Sequence, residues 1–188
     1  MRSSRLLIAA TLALGLVSTS FANAAEMLTI KLNSGDVVIE LADDVAPQHA
    51  ARLKALADAG EYDNVAFHRV IEGFMAQTGD VEFGDMENGF VPQRAGTGGS
   101  SGPDLAAEFS DKPFERGTVG MARSQNPNSA NSQFFIMFAP APHLNGQYTV
   151  VGKVVEGMEH VDQIKRGSAN ANGAVDNPDR MIEVRSGS

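Results

Sequence analysis

The sequence lacks cysteine and tryptophan entirely, and aromatic residues make up only 6 % of its 188 positions. Without cysteine the protein cannot form disulfide bonds, use a thiolate nucleophile or hold a cysteine-ligated metal. Its four histidines are too widely spaced to form a paired-ligand motif: His49, His68, His143 and His160. We therefore expect no metal site, and the chain contains no motif that predicts a cofactor.

Basic residues are also scarce, with 15 lysines and arginines against 23 aspartates and glutamates and a formal net charge of −8. Nucleic acids and anionic membranes bind proteins through basic patches. The acidic balance therefore argues against both as partners of this protein.

The first 25 residues have the organisation of a secretory signal peptide. Met1–Arg5 is basic, Leu6–Val17 is apolar, and Ala22-Asn23-Ala24 matches an A-x-A cleavage signal. The apolar run is shorter than the roughly 20 residues that a spanning helix needs, so we expect cleavage after Ala24 or Ala25. An uncleaved N-terminal anchor is the alternative.

Cleavage would leave 13 basic and 23 acidic residues, a formal charge of −10. We expect this mature protein to be periplasmic or secreted in a bacterium, without a membrane attachment. The absence of cysteine suits an oxidising compartment, where a stray thiol risks oxidation.

Residues 26–185 are predicted to form one β-rich domain. Short apolar strands such as Leu28–Leu32 and Val37–Leu41 are separated by turn residues, and no parallel βαβ alternation is present. Apolar residues at helical spacing predict two helices, Ala46–Ala59 and Gly157–Lys165. From the pattern alone the domain is a barrel or a sandwich. The terminal residues 186–188 resemble a tag or linker scar, and we expect them to lie outside this domain.

The most informative segment, residues 65–80, reads as two short strands joined by a tight turn at a central glycine. Arg69 lies in the first apolar run and Gln77 in the second, close to Phe74 and Met75. An apolar surface with a few aimed hydrogen-bond donors is typical of a small-molecule or peptide site.

Three further strands are predicted at 117–122, 132–137 and 148–155, after an irregular, glycine-rich stretch. That stretch contains Gly96-Thr-Gly-Gly99 but lacks the Gly-Lys-Ser/Thr that closes a phosphate-binding loop. We therefore expect a long surface loop that is folded onto the body of the domain.

Together these segments resemble the cyclophilin family of peptidyl-prolyl cis-trans isomerases, and a bacterial periplasmic member most of all. The resemblance extends from about Leu28 to Met181 and rests on five segments: Phe67–Ile71, Gly73–Gln77, Gly79-Asp80, Gly117–Arg123 and Asn131–Ile136. It implies a mainly β fold, a closed eight-stranded antiparallel barrel capped by two α-helices, with substrate bound on the outer wall. Nothing in the sequence suggests more than a monomer.

The resemblance also assigns roles position by position. Arg69 matches the catalytic arginine, and Phe74 and Gln77 complete the catalytic group. The positions matched to substrate binding are Met75, Ala122, Arg123, Gln133, Phe135, His143, Leu144 and Tyr148.

Two of these positions depart from the familiar animal-type pattern. His143 replaces a tryptophan that many members use to bind cyclosporin, and Tyr148 replaces a histidine. We therefore expect weak cyclosporin binding.

The predicted function is isomerisation of X–Pro bonds in unfolded or folding exported polypeptides. Two alternatives remain open at this point. A cyclophilin-fold chaperone would hold proline-containing segments without turnover, although such a binder has no need of Arg69. A small-ligand barrel of lipocalin type would require an apolar interior cavity.

Overall fold

The computed structural model describes residues 25–187. The predicted signal peptide and its cleavage site lie outside the described residues, except for Ala25. The described elements, in chain order, are β1 Met27–Leu32, β2 Gly35–Leu41, α1 Pro47–Asp58, β3 Arg69–Ile71, β4 Met75–Thr78, β5 Thr118–Met121, β6 Phe134–Met137, β7 Val150–Glu156, α2 Met158–Val161 and β8 Glu183–Gly187. In residues 25–187 no helix combines the length and the apolar character needed to span a membrane.

The strands form one antiparallel sheet of eight strands in the order β3-β4-β6-β5-β7-β2-β1-β8. The mainly β prediction is confirmed, but the closed barrel is not, because the edge strands β3 and β8 share no ladder over the described residues. The sheet is an open half-barrel.

The sheet stays open because β3 is only three residues long. The chain before β3 is irregular, and Asn64 has a positive φ of 63°. Only isolated contacts lie where a regular ladder would close the barrel over the described residues. They are a single bridge between Ala66 and Arg180, and a hydrogen bond from the Phe67 N–H to the Asp179 carbonyl at 2.8 Å.

The inner face of the sheet is filled by side chains. On β1 and β2, alternate residues are buried, as the period of 2 requires: Leu28, Ile30, Leu32, Val37, Ile39 and Leu41. They pack with Leu53 and Ala57 of α1 and with the buried ring of Phe134 in one continuous core. A filled interior contradicts the lipocalin alternative, which needs an apolar cavity there.

Two predicted boundaries were wrong. The second helix is the single turn Met158–Val161 rather than Gly157–Lys165: Gly157 is its left-handed N-cap (φ 81°), and the chain gives way to turns after Val161. At the C-terminus, Ser186 and Gly187 belong to β8 and pair with Leu28 and Met27 of β1. Strand pairing uses backbone groups, so a serine and a glycine at a sheet edge can take part in it.

Candidate active site

The pairing of β3 with β4 brings Arg69 opposite Gln77. Directly opposed residues in an antiparallel pair lie on the same face. Here the Arg69 Nη1 donates to Gln77 Oε1 at 3.1 Å. The turn between the strands uses Gly73 at a positive φ of 67°, and the Phe74 N–H closes it on the Ile71 carbonyl at 3.0 Å. The tight turn predicted from the sequence therefore sets the register that joins these two side chains.

A chain of side-chain amides continues from Gln77 toward the glycine-rich loop. Gln77 Nε2 donates to Gln133 Oε1 at 3.0 Å, and Gln133 Nε2 donates to the Gly98 carbonyl at 2.8 Å. Because a carbonyl can only accept, the Gly98 end fixes which way each amide points. The oxygen of Gln77 is thereby presented to Arg69.

The glycine-rich loop is held by the buried carboxylate of Asp80. One oxygen accepts the N–H groups of Gly96 at 2.7 Å and Gly98 at 3.0 Å. The other accepts those of Glu82 at 3.1 Å and Phe83 at 3.0 Å. A Cβ at Gly98 would lie 2.5 Å from the Asp80 carboxylate, so this approach requires glycine. The predicted folded loop is confirmed.

The other side of Arg69 is held by Asn172, a residue that no sequence motif indicated. Arg69 Nε donates to the Asn172 carbonyl at 3.0 Å, and Nη2 donates to Asn172 Oδ1 at 3.0 Å. The Asn172-Gly173 dipeptide is a turn signal. Nothing local, however, indicates that this turn contacts a strand 103 residues away.

The apolar wall of the site is a small cluster on the outer face of the sheet, separate from the main core. It contains Met75, Phe135 and Leu144, all buried. Phe135 stacks on Phe114 with ring centroids 5.8 Å apart and meets Tyr148 edge-on at 5.9 Å. These aromatic contacts fix the orientation of the Phe135 ring at the floor of the site.

A missing side chain makes room for this wall. Gly120 on β5 lies opposite Phe135 on β6, and a Cβ there would lie 2.5 Å from the Phe135 ring and 2.6 Å from that of Phe114. The stacked pair therefore depends on glycine at this position.

The rim of the site is polar and aromatic. Arg123 lies over the Tyr148 ring, 4.3 Å from its centroid, and donates to the backbone carbonyls of Ser124 and Gln147, each at 2.9 Å. On the opposite side His143 stacks on Phe74 at 5.9 Å.

The structure brings the predicted site residues together. Ten of the eleven line one surface cleft of about 340 Å³: Arg69, Phe74, Met75, Gln77, Ala122, Arg123, Phe135, His143, Leu144 and Tyr148. Gln133 lines an adjoining polar cleft of about 260 Å³, which shares Gln77, Ala122 and Arg123 with the first.

Both clefts carry positive charge only. Neither is lined by an aspartate or a glutamate among the described residues. Burial lowers the pKa of the Arg69 guanidinium, with a smaller opposing effect from Tyr148. Arginine begins so far above neutral pH that it stays protonated. Residues 25–187 contain no group of three or more His, Cys, Asp or Glu side chains placed to hold a metal ion.

Comparison with known protein families identifies the family of this chain. Residues 27–186 match the family described as cyclophilin type peptidyl-prolyl cis-trans isomerase/CLD. The chain belongs to the cyclophilin family.

Individual cyclophilins agree with this assignment. A probable peptidyl-prolyl cis-trans isomerase of Brucella suis is 62 % identical over 184 residues, covering 96 % of this chain and 94 % of the relative. An Arabidopsis thaliana peptidyl-prolyl cis-trans isomerase is 41 % identical over 143 residues, covering 74 % and 82 %.

A solved cyclophilin has the same fold. It is the cyclophilin type peptidyl-prolyl cis-trans isomerase of Cryptosporidium parvum, crystallised in the presence of the dipeptide Ala-Pro. It superposes with a TM-score of 0.73 at 29 % identity, covering 86 % of this chain and 99 % of the other.

Proposed function

We propose that this cyclophilin catalyses cis-trans isomerisation of X–Pro bonds in unfolded or folding polypeptides, and that Arg69 is its catalytic cation. The observation that carries the proposal is a charged guanidinium immobilised by three hydrogen bonds beside an apolar cleft. The family assignment supports the reaction, and the geometry supports the role of each residue.

The chemistry requires stabilisation of a twisted amide. An X–Pro bond prefers the trans form by only about 0.5–1 kcal/mol, but the barrier between isomers is roughly 18–20 kcal/mol because amide resonance is lost. In the twisted state the prolyl nitrogen becomes pyramidal, and its lone pair is localised on the nitrogen instead of being shared with the carbonyl. A fixed donor aimed at that nitrogen binds the twisted state better than the planar one, and this difference lowers the barrier.

Each group of cleft residues has a part in this proposal. The pyrrolidine ring offers only apolar surface, and the apolar wall of the cleft would hold it: Phe74, Met75, Phe135 and Leu144. Gln77 would orient Arg69 through the observed hydrogen bond. The substrate backbone that flanks the X–Pro bond would be held at the rim by Ala122, Arg123 and Gln133. One side of the X–Pro bond can then rotate while the other stays fixed. His143 and Tyr148 would close the sides of the pocket.

The unused N–H donors of Arg69 favour an enzyme over a chaperone without turnover. A guanidinium has five N–H donors, and residues 25–187 occupy three of those on Arg69. Donors on both terminal nitrogens therefore remain for a substrate. A groove that only held proline-containing segments would gain nothing from orienting this cation, because the planar amide nitrogen is a poor acceptor.

The test is the isomerisation rate of an X–Pro peptide with the mature protein and with Arg69→Ala. Removing one transition-state contact of this kind costs on the order of 10²–10³ in rate. Arg116→Ala is a matched control, because Arg116 pairs with Asp162 away from the cleft. The control should keep the native rate.

The other outcomes are equally clear. A fast native protein whose rate survives Arg69→Ala would show that the mechanism is wrong. A native protein that binds proline-rich chains without accelerating isomerisation would be the chaperone of the alternative.

We also propose that the protein acts as an exported monomer on exported polypeptides. The support for export is the signal-peptide pattern of residues 1–25. Weak cyclosporin binding is proposed for the same cleft, because His143 stands where an indole would be needed.

A further inference from the structure

The guanidinium of Arg69 is held along two different edges. Nε and Nη2 share one edge, and both donate to Asn172, through its backbone carbonyl and its side-chain Oδ1, each at 3.0 Å. Nη1 on the other side donates to Gln77 Oε1 at 3.1 Å. Because two parallel donors meet two acceptors of one residue, the contact with Asn172 defines the plane of the guanidinium. The single bond to Gln77 would by itself leave that plane free to rotate.

The backbone of Asn172 makes this double contact possible. Its φ of 52° and ψ of 35° are left-handed, a conformation that asparagine tolerates better than other residues with a side chain. Most side chains would be strained here, and glycine would lack the Oδ1 acceptor. Asparagine satisfies both requirements.

The turn that carries Asn172 is packed tightly on β3. The Val70 N–H donates to the Gly173 carbonyl at 2.8 Å, and the Gly167 N–H donates to the Val70 carbonyl at 2.9 Å. A Cβ at Gly173 would lie 2.5 Å from the Ile71 side chain. The backbone of this turn is therefore fixed to the strand that carries Arg69, which gives Asn172 a rigid base.

We propose that Asn172 is a positioning residue that fixes the plane of the Arg69 guanidinium, so that its remaining donors on Nη1 and Nη2 face the prolyl nitrogen. The inference rests on the proposed isomerase function of Arg69. Its basis is preorganisation: a donor already aimed at the twisted amide needs no reordering when the transition state forms.

The experiment compares Asn172→Gly, Asn172→Asp and the native protein. Glycine keeps the left-handed backbone and its carbonyl but removes Oδ1, whereas aspartate keeps an acceptor at the same place. Asn177→Gly is the matched control, because Asn177 also has a positive φ (48°) and lies in an exposed bend of the same segment.

Two readouts separate positioning from folding. The first is kcat and KM for an X–Pro peptide: we expect kcat to fall on the order of 10-fold in Asn172→Gly, with KM nearly unchanged. The second is the ¹⁵N relaxation of Arg69 Nε, which should report a more mobile guanidinium in that variant. Asn172→Asp should recover most of the rate, and Asn177→Gly should match the native protein in both measurements.

Each result decides the inference. Native kcat in Asn172→Gly, or an equal loss in Asn172→Asp and Asn172→Gly, would overturn it, since Oδ1 would then be irrelevant. A loss of the same size in Asn177→Gly would also overturn it, because the effect would belong to the loop. If the native protein itself shows no isomerase activity, it is the proposed function that fails. The relaxation of Arg69 Nε still tests whether Asn172 fixes the plane of the guanidinium.

Discussion

At the scale of single residues, a line of hydrogen-bonded side-chain amides orients the catalytic arginine of the cleft. Gln77, Gln133 and the Gly98 carbonyl form a directed chain that ends on Arg69. His143 is different: it is exposed and contacts Phe74 only by stacking, at 5.9 Å. A substitution at His143 should therefore change what the rim binds without disturbing this chain.

The prediction at this scale concerns cyclosporin. We expect the native protein to bind it with a dissociation constant weaker than micromolar, and His143→Trp to bind roughly 10-fold more tightly because it restores an indole and its N–H donor. Isothermal titration of both proteins measures this. An unchanged midpoint of urea unfolding in His143→Trp serves as the control for folding. Submicromolar affinity of the native protein would refute the prediction.

Residue motifs predicted most of the site, but not all of it. Arg69, Gln77 and Phe135 could be identified because each lies within a few residues of other recognisable positions. Asn172 could not be identified, because its role depends on a hydrogen bond across 103 residues. A local pattern indicates a turn at Asn172 but not the partner that the turn will meet.

At the scale of elements, α1 shows how a loop completes a helix. Ala46 at its N-cap offers no side-chain acceptor, and Pro47 occupies the first turn. The carboxylate of Glu108 instead accepts the N–H groups of Gln48 and His49, each at 3.2 Å, and contacts His49 Nδ1 at 2.6 Å. A residue 60 positions away thus supplies the cap that the sequence before the helix lacks.

The pKa of Glu108 predicts how this cap responds to acid. Burial raises its pKa, but the hydrogen bonds from His49 and Gln48 outweigh burial, so the pKa in the folded state lies below the usual value of about 4.5. The cap therefore contributes its full stability above that value and loses it as the pH falls through the folded-state pKa.

We expect Glu108→Gln to lower the free energy of unfolding by about 1–2 kcal/mol at pH 7, a typical cost of losing an N-cap. The difference from the native protein should be smaller at an acid pH below the lowered folded-state pKa of Glu108, where its carboxylate is protonated. Urea unfolding at the two pH values measures it. Glu87→Gln is the control, since Glu87 is exposed and pairs only at the surface with Arg180. An equal deficit at both pH values would contradict the assignment.

The strands were predicted best where the alternation of apolar residues is regular. β1 and β2 lie within two residues of their predicted bounds, because one face of each is buried and the other exposed. The first run of the signature segment was predicted as residues 65–71, but β3 covers only Arg69–Ile71. Its early residues are buried in irregular backbone contacts, which apolar composition alone cannot distinguish from a strand.

At the scale of the whole molecule, the substrate cleft is a small positive region on an acidic protein. The two clefts are lined by Arg69 and Arg123 and by no carboxylate among the described residues, while the mature chain would have a formal charge of −10. The surplus acidic residues lie elsewhere and favour solubility and an unassociated chain at high protein concentration.

Export is the prediction that belongs to the full chain. Expressed from Met1 in a Gram-negative bacterium, the protein should be found in the periplasmic fraction as a monomer that begins at Ala25 or Glu26. N-terminal sequencing and sedimentation equilibrium measure this, and a variant without residues 6–17 should stay in the cytoplasm. An intact N-terminus in the membrane fraction would favour the anchored alternative.

The sequence by itself determined the class of fold, the two hydrophobic strands that begin it, the first helix and most of the cleft. These depend on local periodicity and on side chains that act close to their own position in the chain. Only the tertiary structure decided that the sheet stays open between β3 and β8, that Glu108 caps α1, and that Asn172 holds Arg69. Each of these depends on strand register and on loops that bring distant backbone groups within hydrogen-bonding distance, and no local pattern encodes that approach.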